Sequence, residues 1–519
     1  MQALHTTRLS DLLLGIDIVS SDENLDVVVS GLALDSRQVQ SDMLFVAIQG
    51  EAAHGLSYAR EAVNAGAVAV LFELSGSEEL ISNLTGESAA GESLAGVLSV
   101  PVLGVESLRD QLGVIASRFY GEPSKSMLVV GITGTNGKTS SSHFFAQVLS
   151  RLGKACGVIG TLGYGVYGQL QSGSHTTPDA IKVQSLLSGF LRDGLSHAVM
   201  EVSSHALDQG RVTGVEFDVA VLTNLSHDHL DYHGDLSRYA QAKKRLFQMP
   251  GLRYAVVNRD DEFSRELLEL LPENVSVLSY GLSDAEETLA KQDSPDVHGQ
   301  ILTMDTWGFE IKVSTPAGEA ILRSSLLGRF NISNLLAVLT VMLHMKIPLQ
   351  LAVQHLSKVQ AVIGRMEHFG GGARLPLVVV DYAHTPDALQ QVLQTLRSHC
   401  PGSLWCVFGC GGDRDCSKRP EMGAIAERYA EQVVVTDDNP RHENAEKIIE
   451  DILAGMQHPE IVHVLSDRAK AIEYAVTHAV SGDVVLIAGK GHEEYQLVGD
   501  RKLPFSDRSH VDEILKEVA

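Results

Sequence analysis

The chain has 519 residues, with 41 basic and 65 acidic side chains and a formal net charge of −24 with histidine neutral. At roughly 100–200 residues per domain this length predicts about three domains, and 44% hydrophobic with 20% charged residues is the composition of a folded globular chain. The acidic balance excludes a protein that coats DNA or RNA, whose footprint would be basic; anionic small molecules stay possible, because a local basic site can sit in an acidic surface.

No apolar run approaches the ~20 residues that span a bilayer. The opening MQALHTTRLSDLLLGIDIVSSDE lacks the pattern of a secretory signal. Of the five cysteines, Cys400, Cys406, Cys410 and Cys416 cluster without CxxC spacing. They read as buried thiols rather than a zinc site or a disulfide framework. The expectation is a cytoplasmic protein without nucleic-acid binding or membrane insertion.

In chain order, DVVVSGLALDSR, DMLFVAIQG, GAVAVLFE and VPVLGV read as strands, with YAREAVNAGA a short helix among them. The stretch SGSEELISNLTGESAAGESLAG reads as a helix end and surface loop. LRDQLGVIASRFYGEPS is a helix that stops at Gly121 and Pro123. SMLVVGITG is a buried strand running into a glycine loop. HAVME and VAVL are further strands, SRYAQAKKRLF is a helix, and SDAEETLAKQDSPDVHG is a polar loop. From LPLVVVDYAH onward a βαβ pattern restarts, with GSLWCVFGCGG, EQVVVTDDN, EIVHVL and DVVLIAGKG as strands. The last part therefore reads as a doubly wound domain with ligands expected at the C-terminal ends of its strands.

The strongest local signal is Val130-Gly131-Ile132-Thr133-Gly134-Thr135-Asn136-Gly137-Lys138-Thr139-Ser140. Small residues after a buried strand let backbone N–H groups curl round phosphate oxygens, and the next helix points its positive end there. Lys138 can neutralise outer phosphates and the Thr139 hydroxyl suits Mg²⁺. The spacing departs from GxxxxGK[ST], which would need glycine at Ile132. Further on, Glu201 leaves a strand, as an acid that orders Mg²⁺ beside a phosphate loop does. Asn224, His227, Asp228, His229, Asp231 and His233 then follow another buried strand. That cluster reads three ways: a loop whose histidines cap backbone, a zinc hydrolase site, or ligands for phosphate-bound magnesium. Lys243 and Lys244, taken alone, read as solvated surface.

Taken together, GTNGKT, EVSSHAL, TNLSHDHLDYHG, GRFNISN, VIGRMEHF, DYAHTPDAL, FGCGGDRDCSKRP, TDDNPR and AGKGHEEYQ resemble the Mur ligases, ATP-dependent amide-bond-forming enzymes of peptidoglycan assembly. The strings span nearly the whole chain in one order. The last three are similar to those of members that add meso-2,6-diaminopimelate to a UDP-N-acetylmuramoyl dipeptide ending in D-glutamate. The resemblance implies an α/β chain of three domains: an N-terminal UDP-binding domain (1–105), a central P-loop ATPase domain with a mainly parallel sheet (106–365), and a C-terminal Rossmann-like domain (366–519). It implies an acyl-phosphate intermediate, two Mg²⁺ ions, ATP as co-substrate, a monomer, and a role in cell-wall biogenesis, cell shape and division. The alternatives are the same ligation with L-lysine and a folylpolyglutamate synthase-like ligase, against which the LDSR and DNPR strings argue.

By the same resemblance, Lys138, Glu201, His229 and Lys243 are catalytic. Thr139, Glu201, His229 and Lys243, the last as an N6-carboxylysine carbamate, hold metal. Gly134, Thr135, Asn136, Gly137, Lys138, Thr139, Ser140, Asn331, Asn334, Arg365, Asp381 and His384 meet ATP. Leu34, Ser36, Glu51, Ala52, Ala53, Thr176, Thr177, Ser203, Gln209 and Arg211 meet the UDP-substrate; read from the residues alone, the first five are turns and Thr176–Thr177 is a helix cap. Arg329 lies where it could reach phosphate. Arg414, Asp438, Asn439, Pro440, Arg441, Gly489 and Glu493 meet diaminopimelate. A site for that molecule needs paired cations and anions. Arg441 can fork onto its distal carboxylate, Arg414 can take another, and Asp438 and Glu493 can hold ammonium groups. Lysine would leave Arg441 facing nothing.

Overall fold

The computed structural model describes residues 6–19, 25–50, 53–85, 94–284, 295–305, 307–371 and 375–518. The chain divides into two compact units, residues 1–278 and 279–519.

The first unit carries a two-stranded ribbon, Thr7–Arg8 with Val28–Val29, and two larger sheets. In the N-terminal one the strands lie in the order Ile18–Val19, Val102–Val105, Ala67–Glu73, Met43–Ala47, Gly31–Ala33. All pair in parallel except Ile18–Val19. Its strands bury both faces, which is why they read as continuous apolar runs. The segment DVVVSGLALDSR is not one strand: it breaks into Val28–Val29, Gly31–Ala33 and a 3₁₀ turn at Ser36–Gln38, which Asp35 caps from its carboxylate. The stretch 75–96, read as a helix end and surface loop, holds the helix Glu78–Thr85 and runs into a second, Leu94–Leu98; residues 86–93 lie outside the described residues. So does most of the polar loop at 283–299.

The second sheet of this unit runs Gly163–Val166, Gly157–Gly160, His197–Glu201, Leu128–Thr133, Val219–Leu222, Tyr254–Asn258. It is parallel but for the first pair. The helix Leu108–Phe119 stops as expected, with Gly121 at φ +78° and Pro123 opening a 3₁₀ turn. It lies against the loop at 210–214 so closely that a Cβ on Gly113 would sit 1.8 Å from the Thr213 carbonyl oxygen.

The second unit begins with an antiparallel meander that the sequence did not disclose: Val297–Asp305, Gly308–Thr315 and Gly318–Ser324, followed by the helix Arg329–His344. A six-stranded sheet follows in the order Glu367–Gly370, Leu377–Asp381, Val484–Ala488, Leu404–Phe408, Gln432–Val435, His463–Val464. Only its first pair is antiparallel. This is the doubly wound pattern expected. A hairpin, Tyr495–Val498 with Arg501–Pro504, was not foreseen. Cys156, Cys400, Cys406 and Cys410 are buried free thiols, whereas Cys416 is exposed, so the buried-thiol reading fails there. Among the described residues no helix is long and apolar enough to cross a membrane.

Two ion pairs fasten the last helix, Asp507–Val518: Arg508 with Glu367 of the sheet's first strand at 2.6 Å, and a fully buried one. Arg468 donates from Nε and Nη2 to the two Asp507 carboxylate oxygens at 2.7 and 2.8 Å, and from Nη2 to the Ala488 carbonyl at 3.0 Å. Both side chains are fully buried. Removing one partner leaves the other charge uncompensated, which costs about 3–5 kcal/mol. Arg468→Ala is therefore expected to lower the thermal midpoint sharply, and pairing Arg468→Met with Asp507→Leu to recover much of it. Calorimetry of the three proteins checks this.

Candidate functional site

The phosphate loop leaves the strand Leu128–Thr133 and enters the helix Lys138–Arg151. Gly134, at φ +148°, passes so near the neighbouring strand that a Cβ would fall 1.9 Å from Thr223 Oγ1. Asn224 ties down the loop. Its side-chain oxygen accepts from Asn136 N at 2.9 Å, its carbonyl accepts from Thr135 N at 2.9 Å, and its Nδ2 donates to Asn136 O at 3.1 Å. Thr223 Oγ1 donates to the same Asn136 carbonyl at 2.6 Å. Lys138 curls over the loop, donating to the carbonyls of Gly134 and Thr135 at 2.8 and 2.9 Å. Gly137, at φ +86°, caps the helix, and Ser140 sits half-buried in its first turn.

Glu201 ends its strand fully buried. Its carboxylate accepts from Thr139 Oγ1 at 2.7 Å, Thr161 N at 2.9 Å and Thr161 Oγ1 at 3.0 Å. Gly160 makes the space, since a Cβ there would lie 2.1 Å from Glu201 Oε1. A buried carboxylate served by neutral donors alone suits a divalent cation.

Lys243 overturns the surface reading. It lies 1% exposed and Lys244 2%. The helix Leu236–Phe247, N-capped by Asp235, turns both inward. Lys243 Nζ donates to the Gly134 carbonyl at 2.8 Å and stands 4.3 Å from the Tyr239 ring centre. Burial holds its ammonium well below the ordinary lysine range, and the Lys138 charge adds to that, against the opposing pull of Asp228. Lys244 instead pairs with Glu266 at 2.5 Å. Tyr239 also shares a hydrogen bond with Thr135 Oγ1 at 3.2 Å, and the His229 ring lies 6.2 Å from it. Thus Thr135, Lys138, Lys243, Tyr239 and His229 surround one loop, with Thr139 and Glu201 beside it. His229 has φ +53° and a half-exposed ring. Among the described residues no group of three or more His, Cys, Asp or Glu could hold a metal by itself.

A cavity of about 700 Å³ opens in the same unit. Leu34, Gln209 and Arg211 line it, as do Arg109, Tyr164, Lys182 and the 171–175 segment, none of which was singled out from the sequence. Arg211 donates to the Thr177 carbonyl at 2.8 Å and twice to Gln209 Oε1; burial lowers its pKa. Other expected contacts are engaged within the fold. Thr177 Oγ1, fully buried, donates to the Glu201 carbonyl at 2.8 Å and accepts from Ser203 N at 3.1 Å. Ser203 Oγ caps Ala206 N, Thr176 Oγ1 meets Thr161 Oγ1 at 3.1 Å, and Ser36 is buried in its turn. The helix cap read at Thr176–Thr177 is supplied by Asp179. Ala53 is exposed, and Glu51 and Ala52 lie outside the described residues.

In the second unit, Asp381 accepts from Met366 N and Ala383 N, both at 2.8 Å. Burial raises its pKa, with the Arg365 charge opposing. Arg365 lies 4.7 Å over the Tyr382 ring, and His384 follows at the strand end, its carbonyl taken by Lys418 at 2.9 Å. Asn331 donates to the Leu327 carbonyl at 2.8 Å, Asn334 to Asn331 at 3.4 Å, and Arg329 pairs with Asp284.

The loops after the strands Leu404–Phe408, Gln432–Val435 and Val484–Ala488 converge. Gly412 N donates to the Asn439 carbonyl at 2.9 Å, and Arg441, at φ +50°, donates from Nη1 to the Gly412 carbonyl at 2.7 Å. Gly489 backs Asp438 so closely that a Cβ would sit 2.6 Å from Oδ2. Asn439 Nδ2 donates to Glu493 Oε2 at 2.9 Å; Pro440 is buried and Arg414 exposed. Two further cations here, Arg419 and Lys490, are buried. Arg419 binds Glu443 through both carboxylate oxygens and Asp451 at 2.9 Å, fixing the loop that bears Arg414. Lys490 holds Asn439 and Glu493. The only sequence signal for Lys490 is a lysine between two glycines directly after a fully apolar strand.

Three family models match in order: the Mur ligase family catalytic domain at residues 28–120, the Mur ligase middle domain at 132–342, and the Mur ligase glutamate ligase domain at 364–491. The UDP-N-acetylmuramoyl-L-alanyl-D-glutamate–2,6-diaminopimelate ligase of Alkalilimnicola ehrlichii is 48% identical over 502 residues, 97% of each chain. That of Ectopseudomonas mendocina is 47% identical over 489 residues, 94% of this chain and 95% of its own. A solved structure of an enzyme of that name matches with a TM-score of 0.71 and 34% identity, covering 99% of both chains. With three family segments in order and near-full-length relatives, the chain belongs to the Mur ligases and has their α/β, three-domain architecture.

Proposed function

We propose that this enzyme joins meso-2,6-diaminopimelate to UDP-N-acetylmuramoyl-L-alanyl-D-glutamate at the expense of ATP, a step of peptidoglycan precursor synthesis that takes place in the cytoplasm. The observation that carries this reading is the converging loop cluster Gly411–Arg414, Asp438–Arg441 and Gly489–Glu493, in a chain whose near-full-length relatives bear that activity.

A carboxylate is a poor electrophile until one oxygen becomes a leaving group. On this reading the dipeptide's free carboxylate attacks the γ-phosphorus of ATP, releasing ADP and forming an acyl phosphate. The amine of diaminopimelate then attacks the acyl carbon, expelling phosphate and losing a proton. Two anions must approach for the first step. Lys138, already folded over the loop, supplies one compensating charge, and the loop's N–H groups and the helix start supply partial ones. Thr139 and Glu201 fit one Mg²⁺, and His229 with a carbamylated Lys243 fits a second; when bound, such ions would neutralise phosphate charge. Lys243 suits carbamylation because an amine must be neutral to add to CO₂, and burial shifts its balance toward that form. The modification replaces a buried cation with an anion able to face a metal. On this reading the UDP-dipeptide meets Arg211 and Gln209, which line the 700 Å³ cavity together with the further cations Arg109 and Lys182.

For the amino acid, Arg441 offers its guanidinium to the distal carboxylate that L-lysine lacks. Mass-resolved product assays with each amino acid are expected to show strong preference for diaminopimelate. Arg441→Ala should lower kcat/KM for it on the order of 100-fold, the worth of a charge-assisted pair, while hardly changing lysine. Equal losses for both amino acids would contradict this assignment.

The Lys243 reading has a definite pH sign. As pH falls through its lowered pKa the amine takes up a proton, the carbamate is lost, and activity declines. The decline should be reversed by added bicarbonate, and intact-protein mass spectra at alkaline pH should show one bound CO₂ that Lys243→Ala lacks.

A further inference from the structure

We propose that Lys490 is a positioning residue of the amino-acid site: its buried ammonium fixes Glu493 and Asn439 in the orientation that an incoming ammonium group requires. This rests on the diaminopimelate reading above and adds to it a residue that never touches the ligand.

Lysine is rarely buried completely, because taking its charge out of water costs several kcal/mol unless a partner offsets it. Lys490 is 0% exposed. Its backbone lies between Gly489 at φ +119° and Gly491 at φ +53°, so the chain turns sharply as it leaves the strand Val484–Ala488. The side chain runs beneath the 438–441 loop. There Nζ donates to Asn439 Oδ1 at 3.0 Å and to Glu493 Oε2 at 2.9 Å, 5.6 Å from the Tyr495 ring centre.

These contacts decide two orientations. Asn439 Oδ1 accepts from both Lys490 Nζ and Leu497 N (2.9 Å), so its Nδ2 must face away, and it donates to Glu493 Oε2. Both donors on Glu493 therefore fall on the same oxygen, Oε2. Neither donor engages Oε1, and the side chain keeps 18% exposure, so on this proposal Oε1 is the oxygen that meets the ligand. Without Lys490 the Glu493 carboxylate loses one of these two donors and can rotate, and the Asn439 oxygen keeps only Leu497 N to hold it. A site held loosely in this way loses affinity for the group it was built to meet.

The test is a cycle of Lys490→Met, Glu493→Gln and the double variant, assayed with diaminopimelate, ATP and the UDP-dipeptide varied in turn. Wild-type turnover with diaminopimelate checks the underlying reading separately; if wild type ligates another amino acid instead, that reading fails, and the cycle is run with the amino acid used. Lys490→Met is expected to raise KM for the amino acid at least tenfold, with KM for ATP and the UDP-dipeptide within twofold. A second expectation is that adding Lys490→Met to Glu493→Gln costs much less than it does in wild type, since the residue acts through Glu493. Should Lys490→Met fail to fold, the double variant, which removes both charges, is compared with Glu493→Gln and must match it within about threefold. An unchanged or lowered KM for the amino acid, equal losses for all three substrates, or additive effects in the cycle would overturn the proposal.

Discussion

The phosphate loop depends on a carboxylate buried without a cationic side chain of its own. Glu201 is fully enclosed, and its hydrogen bonds come from a threonine hydroxyl on the loop's helix and from the amide and hydroxyl of Thr161. An anion in low dielectric with only neutral donors is costly for a fold to keep. The same incomplete compensation makes it a good seat for a divalent cation. Around it the strands crowd so tightly that Gly134 and Gly160 have no room for a side chain. The backbone is thus spent on bringing acid, hydroxyl and lysine within one small volume.

A similar economy governs the second unit. Arg419, Arg468 and Lys490 are all buried, each against carboxylates, and each ties a loop or helix to the C-terminal end of the parallel sheet. Buried pairs of this kind add little net stability but define one arrangement, because any other leaves a charge unmatched. On the proposed function, that construction suits loops that discriminate between amino acids differing by a single carboxylate.

Much of this was legible in the sequence, for reasons that differ by region. Parallel strands buried on both faces announce themselves as apolar runs, so SMLVVGITG, LPLVVVDYAH and DVVLIAGKG read as strands from the residues alone. The meander from Val297 to Ser324 alternates buried and exposed positions with many polar residues, and its period was masked by its mixed composition. Gly134 to Thr139 stand out as a glycine loop ending in Gly-Lys-Thr at a strand-to-helix junction. Lys243, Lys490 and Arg419 do not, because burial of a long cation is set by what packs over it from distant segments. For the same reason Thr177, Ser203 and Asn331 could not be seen to bond within the fold. Arg109 and Lys182 come together with Arg211 only through tertiary structure.

The central claim is that the charged loop lets two anions meet long enough to form a mixed anhydride. Hydroxylamine added to enzyme, ATP and UDP-dipeptide, with no amino acid present, tests it most directly. The account predicts a hydroxamate of the dipeptide in amounts matching the ADP released, and none with Lys138→Ala. Normal ligation by an enzyme that never yields hydroxamate would contradict it.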